Sequence, residues 1–327
     1  MDNSFFKGMT WGWKAERGHY RTEQAVDSMR KLRETGSEWI ALSFWTWQEN
    51  IHSTHIAYDY GYTVTDRDIA FAVERAKELG LKVCLKPVVN SGDGIWRAHI
   101  GFPLEDGASM YWDKWFQSYT NFILHYAELA EELGCEMLCI GCEMIKTESQ
   151  SNRWRELIER IRQVYSGPLI YNANHGKEEG VEWFDDLDFI GTSAYYPVGE
   201  QPGDTEEKMI ANWLPIRDRL ARLHQKFNKP IVFMEIGCRS ALGCAMMPWD
   251  FSHEELPFNE EEQANFYSSV MTVFWNEPWF AGFFWWDWSH RLYEEQDADK
   301  DTGFDIYGKK AERIVRQWYA LEKATAI

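Results

Sequence analysis

The chain has 327 residues, of which 45% are hydrophobic, so it can bury the core of one large domain or two ordinary ones. Its formal net charge is −18, which argues against nucleic acid and anionic membrane surfaces as partners, because both attract basic proteins. The sequence has no apolar run of about 18 residues and no cationic segment leading into an apolar one at its start, so neither a membrane span nor a signal peptide is predicted.

The chain reads as eight strand–helix units. Apolar segments predict buried strands at residues 8–13, 39–47, 82–88, 137–143, 169–174, 189–195, 231–235 and 282–288. Amphipathic segments predict helices at about residues 22–34, 65–80, 109–133, 151–165, 205–227, 260–276 and 309–322. This order predicts a parallel sheet closed into a (β/α)8 TIM barrel, with a single domain over residues 1–327. No glycine-rich turn follows the first strand, which counts against an open dinucleotide-binding sheet.

Two glutamates each end one of these buried strands. Glu143 ends the fourth predicted strand and Glu235 ends the seventh. An unpaired buried carboxylate costs several kcal/mol, so such positions usually carry a function. In a parallel barrel the C-terminal strand ends meet at one mouth, where a carboxylic acid and a carboxylate can break a glycosidic bond. The alternative is structural: each glutamate caps a helix or pairs with an arginine.

Five stretches carry a resemblance to glycoside hydrolase family 113, the β-mannanases of clan A: residues 138–144, 169–175, 187–197, 230–240 and 282–288. The resemblance implies a retaining hydrolase of β-1,4-linked mannan or manno-oligosaccharides that needs no cofactor. It assigns Glu143 as acid/base and Glu235 as nucleophile. The same retaining chemistry on another β-linked glycan, such as a β-glucan oligosaccharide, is one alternative. A barrel that binds glycans without cleaving them is another.

The resemblance also leaves choices open. Many clan members have Asn directly before the acid/base, contacting the sugar 2-hydroxyl, whereas Cys142 holds that place here. Asn172 or Asn174, after the fifth strand, are candidates for that contact. In the clan, a strand-six tyrosine often donates a hydrogen bond to the nucleophile. Tyr195 and Tyr196 are both candidates for this role.

Further candidate substrate contacts lie at the ends of other strands. Lys86 ends the third strand, where it can bind a sugar hydroxyl or pair with a carboxylate. The loop after it carries Asn90, Trp96 and His99, and His175 follows the fifth strand. Arg239, four residues past the seventh-strand glutamate, either tunes the charge of that glutamate or holds the loop.

Tryptophan is abundant, with 18 residues, and an indole stacks well on a pyranose ring. Pairs spaced by two share one face of a strand, so inward pairs would form sugar platforms and outward pairs would pack beneath helices. The pairs lie at the ends of the first, second and eighth strands: Trp11 and Trp13, Trp45 and Trp47, and Trp286 and Trp288. We expect at least two platforms, with Trp13, Trp47, Trp286 and Trp288 as candidates. Trp286 is the first choice beside the cleaved bond.

The six cysteines are too few for a disulfide scaffold in a chain of this length. Most lie in apolar strand-like segments, which predicts buried free thiols and a cytoplasmic protein. Cys139 and Cys142 are expected to point to opposite faces of their strand, so a metal site is not predicted.

Overall fold

The computed structural model describes residues 5–57, 61–102, 108–252 and 255–323. Eight parallel strands pair in chain order, and the eighth pairs with the first, which closes the barrel. They are β1 (Phe6–Trp11), β2 (Trp39–Gln48), β3 (Lys82–Ser91), β4 (Met137–Cys142), β5 (Leu169–Asn174), β6 (Phe189–Ser193), β7 (Ile231–Ile236) and β8 (Phe280–Trp288). The predicted (β/α)8 fold is confirmed. The ends of the predicted domain, residues 1–4 and 324–327, lie outside the described residues.

Helices connect most of the strands and cover the outside of the barrel. They are α1 (Glu23–Glu34), α2 (Asp66–Glu78), α3 (Ala108–Leu133), the short α4 (Ile145–Glu148), α5 (Ser151–Arg162), α6 (Glu206–Phe227), α7 (Glu260–Phe274) and α8 (Lys310–Tyr319). Polar residues fix several of their starts: Thr65 and Asp68 form a capping box at the start of α2. Among the described residues, no helix is both long and apolar enough to cross a membrane.

The connection between β5 and β6 departs from the predicted alternation. Two 3-10 turns, Glu178–Gly180 and Phe184–Asp186, take the place of a helix there. The segment has only 14 residues between the strands, and its apolar residues are buried around the two turns: Val181, Trp183, Phe184 and Leu187. This short crossover leaves the end of β5 and the residue after it, His175, close to the barrel mouth.

The barrel interior is filled by a small apolar cluster, separate from the larger layer between strands and helices. Its members include Phe6, Trp39, Cys84, Met137, Ile170, Met234 and Phe284. Between this apolar cluster and the C-terminal strand ends, the side chains that point inward are polar or carry a thiol, and they are buried: Lys86, Cys142, Asn172, Ser193 and Glu235. Polar side chains inside a barrel mouth need partners, so this layer marks the candidate site.

Two strand irregularities aim side chains at that layer. Between Thr192 and Ser193 of β6 the register on β7 shifts by one residue, so Glu235 turns inward although its neighbour Met234 already fills the barrel interior. On β4 the register also shifts between Cys139 and Cys142. The expectation that these two cysteines face opposite sides is therefore wrong: one lies in the interior cluster and the other contacts the inward Glu235.

Candidate active site

Glu235 is held near the end of β7 by donors from β3, β4 and β5 and from the residues after β6. Its Oε1 accepts hydrogen bonds from Lys86 Nζ, from Asn172 Nδ2 at 3.1 Å and from Cys142 Sγ at 3.3 Å. Tyr195 donates its hydroxyl to Oε2 at 3.1 Å. Glu235 is only 4% exposed and Lys86 is fully buried. Such a set of donors fixes one orientation of the carboxylate and stabilises its charged form.

Electrostatics keep this carboxylate ionised. Burial alone would raise the pKa of Glu235, but the positive charges of Lys86 and Arg97 outweigh it and hold the pKa below its ordinary value. The hydrogen bonds from Lys86 and Cys142 act in the same direction. An ionised, oriented and buried carboxylate is what a nucleophile at this position requires.

Glu143 follows directly after β4 with a left-handed backbone φ of 53°. Its N–H donates to the carbonyl of Asn172 at 2.8 Å, which fixes the turn against β5. The side-chain Oε2 accepts from Arg97 Nη2 at 2.7 Å. Burial raises the pKa of Glu143; Arg97 opposes this, the negative charge of Glu235 reinforces it, and the net direction is upward. The two carboxyl groups therefore have pKa values shifted in opposite directions.

Cys142 and Arg97 connect the two carboxyl groups. Cys142 Sγ is 3.3 Å from Glu235 Oε1 and 3.5 Å from Arg97 Nη2, which in turn contacts Glu143. The structure thus brings together the two strand-end glutamates that the sequence singled out, at the C-terminal mouth of the barrel. Cys142 takes the place of the clan asparagine, and Asn172 rather than Asn174 reaches this centre, with its Nδ2 3.2 Å from the sulfur.

Two indoles border the same centre. The rings of Trp13 and Trp286 meet edge to face with centroids 5.3 Å apart, and both side chains are half-buried. Lys86 Nζ lies 5.9 Å from the Trp286 ring, and the guanidinium of Arg97 lies 5.9 Å from the Trp13 ring. Trp286 therefore lies beside the Lys86–Glu235 pair, where the sequence predicts a platform.

Arg97 is the functional residue that the sequence reasoning missed. It lies in the loop after β3 and donates to Glu143, to the carbonyl of Cys142 at 3.2 Å and to Asn90 Oδ1 at 3.0 Å. No local pattern distinguishes it from the other arginines of the chain. The sequence predicts Trp96 and His99 as loop candidates, but Arg97, directly after Trp96, makes the contact.

Two predicted contacts are wrong. Trp288 is fully buried on the outer face of the barrel, where its Nε1–H donates to the carbonyl of Ser28 in α1 at 3.1 Å. The reason is a register shift between β1 and β8 that breaks the expected alternation after Trp285. Tyr196 points away beneath α6, and its hydroxyl bonds with Glu178 and Arg219. Of the two tyrosines, Tyr195 is the one that contacts Glu235.

The remaining candidates lie around the rim. Trp47 is half-buried against Trp45, with ring centroids 4.5 Å apart, and pairs along the strand with Asn90. Trp96 is 42% exposed. Asn174 is buried, with Nδ2 donating to the carbonyl of His175 at 3.4 Å. Their contacts with substrate stay predictions.

Two further observations concern the role of Arg239 and metal binding. Arg239 donates to the carbonyl of Thr302 at 2.9 Å and to its hydroxyl at 3.1 Å, which fits the loop-holding alternative. Across the described ranges, no cluster of three or more His, Cys, Asp or Glu side chains is arranged to hold a metal ion.

Comparison with known proteins agrees with this geometry. The sequence model of Glycoside Hydrolase Family 113 matches residues 9–309. A solved GH113 β-1,4-mannanase in a complex structure is 36% identical over 98% of this chain and 100% of its own, with a TM-score of 0.89. The GH113 β-mannanase AaManA from Alicyclobacillus acidocaldarius, solved with ManMIm, is 40% identical over 98% of both chains, with a TM-score of 0.90. A further GH113 β-1,4-mannanase structure is 37% identical over 98% of this chain and 100% of its own, with a TM-score of 0.90. No curated protein matches the chain.

Proposed function

Since the chain belongs to glycoside hydrolase family 113 and is a glycoside hydrolase acting on β-mannosidic linkages, we propose that it cleaves them with retention of configuration. In this proposal Glu143 is the acid/base and Glu235 the nucleophile. The observation that carries it is that the pKa of Glu143 is raised and the pKa of Glu235 is lowered, although both groups lie at the same mouth of the barrel. Two titratable groups whose environments separate their pKa values divide the acid and nucleophile roles.

The first step uses both carboxyl groups at once. Glu143, whose pKa is raised by burial, acts as the acid and gives its proton to the departing glycosidic oxygen while Glu235 Oε2 or Oε1 attacks the anomeric carbon. The C–O bond to the leaving sugar breaks, and an ester between the sugar and Glu235 forms. Lys86 and Asn172 hold the attacking carboxylate in place, and Tyr195 holds its second oxygen.

The second step needs the acid to become a base, and the contacts explain how. The negative charge of Glu235 contributes to the raised pKa of Glu143, and that charge disappears when the ester forms. Arg97 remains at 2.7 Å and favours the ionised form of Glu143. The carboxylate of Glu143 then takes a proton from a water molecule whose oxygen bonds to the anomeric carbon. The ester bond to Glu235 breaks, which restores the carboxylate and releases the sugar with its original configuration.

We propose β-1,4-linked mannan or manno-oligosaccharides as the substrate. An uncharged sugar suits a chain with a net charge of −18 better than a polyanion does. Trp286 and Trp13 supply an aromatic wall beside the nucleophile. Asn172 is fully buried and its amide bonds to Glu235, Cys142 and Ser193, so in this proposal it holds the nucleophile rather than a sugar. The finer assignment of Asn90, Asn174, His175, Trp47 and Trp96 as sugar contacts belongs to the same proposal.

Azide rescue tests the two roles separately. With an aryl β-mannoside whose leaving group needs no proton, Glu143→Ala plus azide is expected to yield β-mannosyl azide, because the glycosyl-enzyme still forms. Glu235→Ala plus azide is expected to yield the α-anomer, because azide enters directly from the vacated face. Hydrolysis of mannohexaose by Glu143→Ala should fall by about 10²–10⁴-fold.

A matched control is Glu148→Gln, five residues past the acid/base and also buried, where it accepts the Tyr171 hydroxyl at 2.8 Å outside the site. It should keep its activity and give no azide product. The assignment of roles is wrong if the two glutamate variants give the same anomer. Cleavage of cellohexaose at a rate equal to mannohexaose would move the substrate class to β-glucan.

We also propose a reducing compartment, the cytoplasm, as the place of action. All six cysteines are buried free thiols, which persist most readily where disulfides are disfavoured. Detection of the protein only in an extracellular fraction of its source cells would contradict this.

A further inference from the structure

An exposed tryptophan lies beyond the catalytic centre at the same mouth of the barrel. Trp249, in the long loop between β7 and α7, is 42% exposed. Its ring stacks on His175, which follows β5, with centroids 5.2 Å apart and planes inclined by 25°. The loop thus places the Trp249 indole against the residue that follows β5, and a large part of the indole surface remains exposed to solvent.

The support beneath this stack is built from buried groups. The edge of His175 meets the ring of Tyr196 with centroids 5.6 Å apart. The Tyr196 hydroxyl is fixed by Glu178 and by Arg219 Nη2 at 2.9 Å. Burial, with the nearby charge of Arg219, lowers the pKa of His175 to about 4, so the imidazole under the indole is neutral near neutral pH.

The loop that carries Trp249 is anchored close by. The carbonyl of Ala245 accepts N–H bonds from Val198 at 3.0 Å and Gly199 at 2.8 Å, and its own N–H donates to the buried Glu262 at 3.2 Å. These contacts tie the β7–α7 loop to the β6–α6 connection four residues before the indole. An aromatic side chain held in this way loses little conformational entropy when a ligand stacks on it.

From these observations we propose that Trp249, backed by His175, is a remote sugar-binding platform for one unit of a longer β-linked chain. The proposal rests on the proposed function. Asn172, which contacts the nucleophile, lies three residues before His175, a distance on the order of 10 Å along a strand. A sugar at the cleaved bond therefore does not reach Trp249, and only longer oligosaccharides gain from it. The platform sets the dependence of cleavage on chain length.

The test compares oligosaccharides of increasing length. For Trp249→Ala, kcat/KM on mannohexaose is expected to fall between about two- and tenfold, as the loss of one aromatic stacking contact predicts. For the shortest manno-oligosaccharide that the wild type cleaves, kcat/KM should stay unchanged. The matched control is Phe251→Ala, an aromatic two residues along the same loop that is 81% exposed. It should match the wild type at every length, and thermal unfolding should show all three proteins folded.

Three results would overturn the platform. These are no loss on mannohexaose for Trp249→Ala, an equal loss on all lengths, or the same length-dependent loss for Phe251→Ala, which would point to the loop rather than the indole. Failure of the proposed function is distinguishable, because the wild type itself would then cleave no manno-oligosaccharide. Direct titration of mannohexaose into Glu235→Gln, with and without Trp249→Ala, gives a second readout that does not depend on turnover.

Discussion

Replacing Arg97 by Gln should move the alkaline limb of the pH profile of kcat/KM upward. A general acid works only while protonated, so activity is lost as the pH rises through the pKa of Glu143. Arg97 donates to this carboxyl at 2.7 Å and lowers its pKa against the effect of burial. Without the guanidinium, the pKa of Glu143 rises, and the limb moves to higher pH.

The structure sets the size of this effect. Two unit charges about 4 Å apart interact by about 4 kcal/mol at an effective dielectric constant of about 20, equivalent to about three pKa units. The side chains of Arg97 and Glu143 are 12% and 8% exposed, so the pair is largely shielded from water. Relaxation around the vacated guanidinium and entry of water reduce the change. We expect the alkaline limb to move up by about one to two pH units.

The assay is kcat/KM on mannohexaose from about pH 4 to pH 10, with two comparison variants. Arg97→Lys keeps a positive charge but not the hydrogen bonds to Asn90 and to the carbonyl of Cys142, so its limb should stay nearer the wild type while kcat falls. Arg153→Gln removes an ion pair with Asp113 on the protein surface and should leave the profile unchanged. An alkaline limb that stays in place or moves down in Arg97→Gln would refute the reasoning.

Two further predictions follow from buried contacts. Lys86→Met removes the main charge that lowers the pKa of Glu235, so the acidic limb of kcat/KM should move up as the nucleophile protonates at higher pH; an acidic limb at the wild-type pH contradicts this. Glu262→Ala leaves the N–H groups of Gly203, Gly243 and Ala245 without their acceptor and should lower the free energy of unfolding by about 2–4 kcal/mol in denaturant titration. The exposed neighbour Glu261→Ala should change it by less than about 0.5 kcal/mol, and equal losses in both variants would contradict the role of Glu262.

Much of the barrel could be predicted because its signals are local. Apolar strands and amphipathic helices each show their periodicity within about ten residues, and helix starts such as Thr65 have a recognisable capping residue. Helix α6 was expected at 205–227 and spans Glu206–Phe227. The connection between β5 and β6 shows where this reasoning ends, since a segment of 14 residues can bury its few apolar side chains in more than one turn conformation.

The choice within residue pairs depended on the register of neighbouring strands. Tyr195 and Tyr196 are adjacent in sequence, and alternation alone says only that one faces inward. The bulge that turns Glu235 inward arises from pairing between β6 and β7 and has no mark in either segment. The shift between β1 and β8 likewise sends Trp288 outward while Trp286 stays at the mouth. A slip of one residue exchanges the two faces of a strand, so such choices depend on the assembled sheet.

The sequence by itself determined the barrel and the positions of two acidic strand ends. An apolar strand and a charged residue at its end are both visible in a short segment of sequence. Only the tertiary structure decided which groups control those acids. Arg97 reaches Glu143 from 46 positions away, and Lys86 reaches Glu235 from 149 positions away, across the barrel. The energy of each pair depends on distance and burial in the closed barrel, and neither quantity exists in the linear chain.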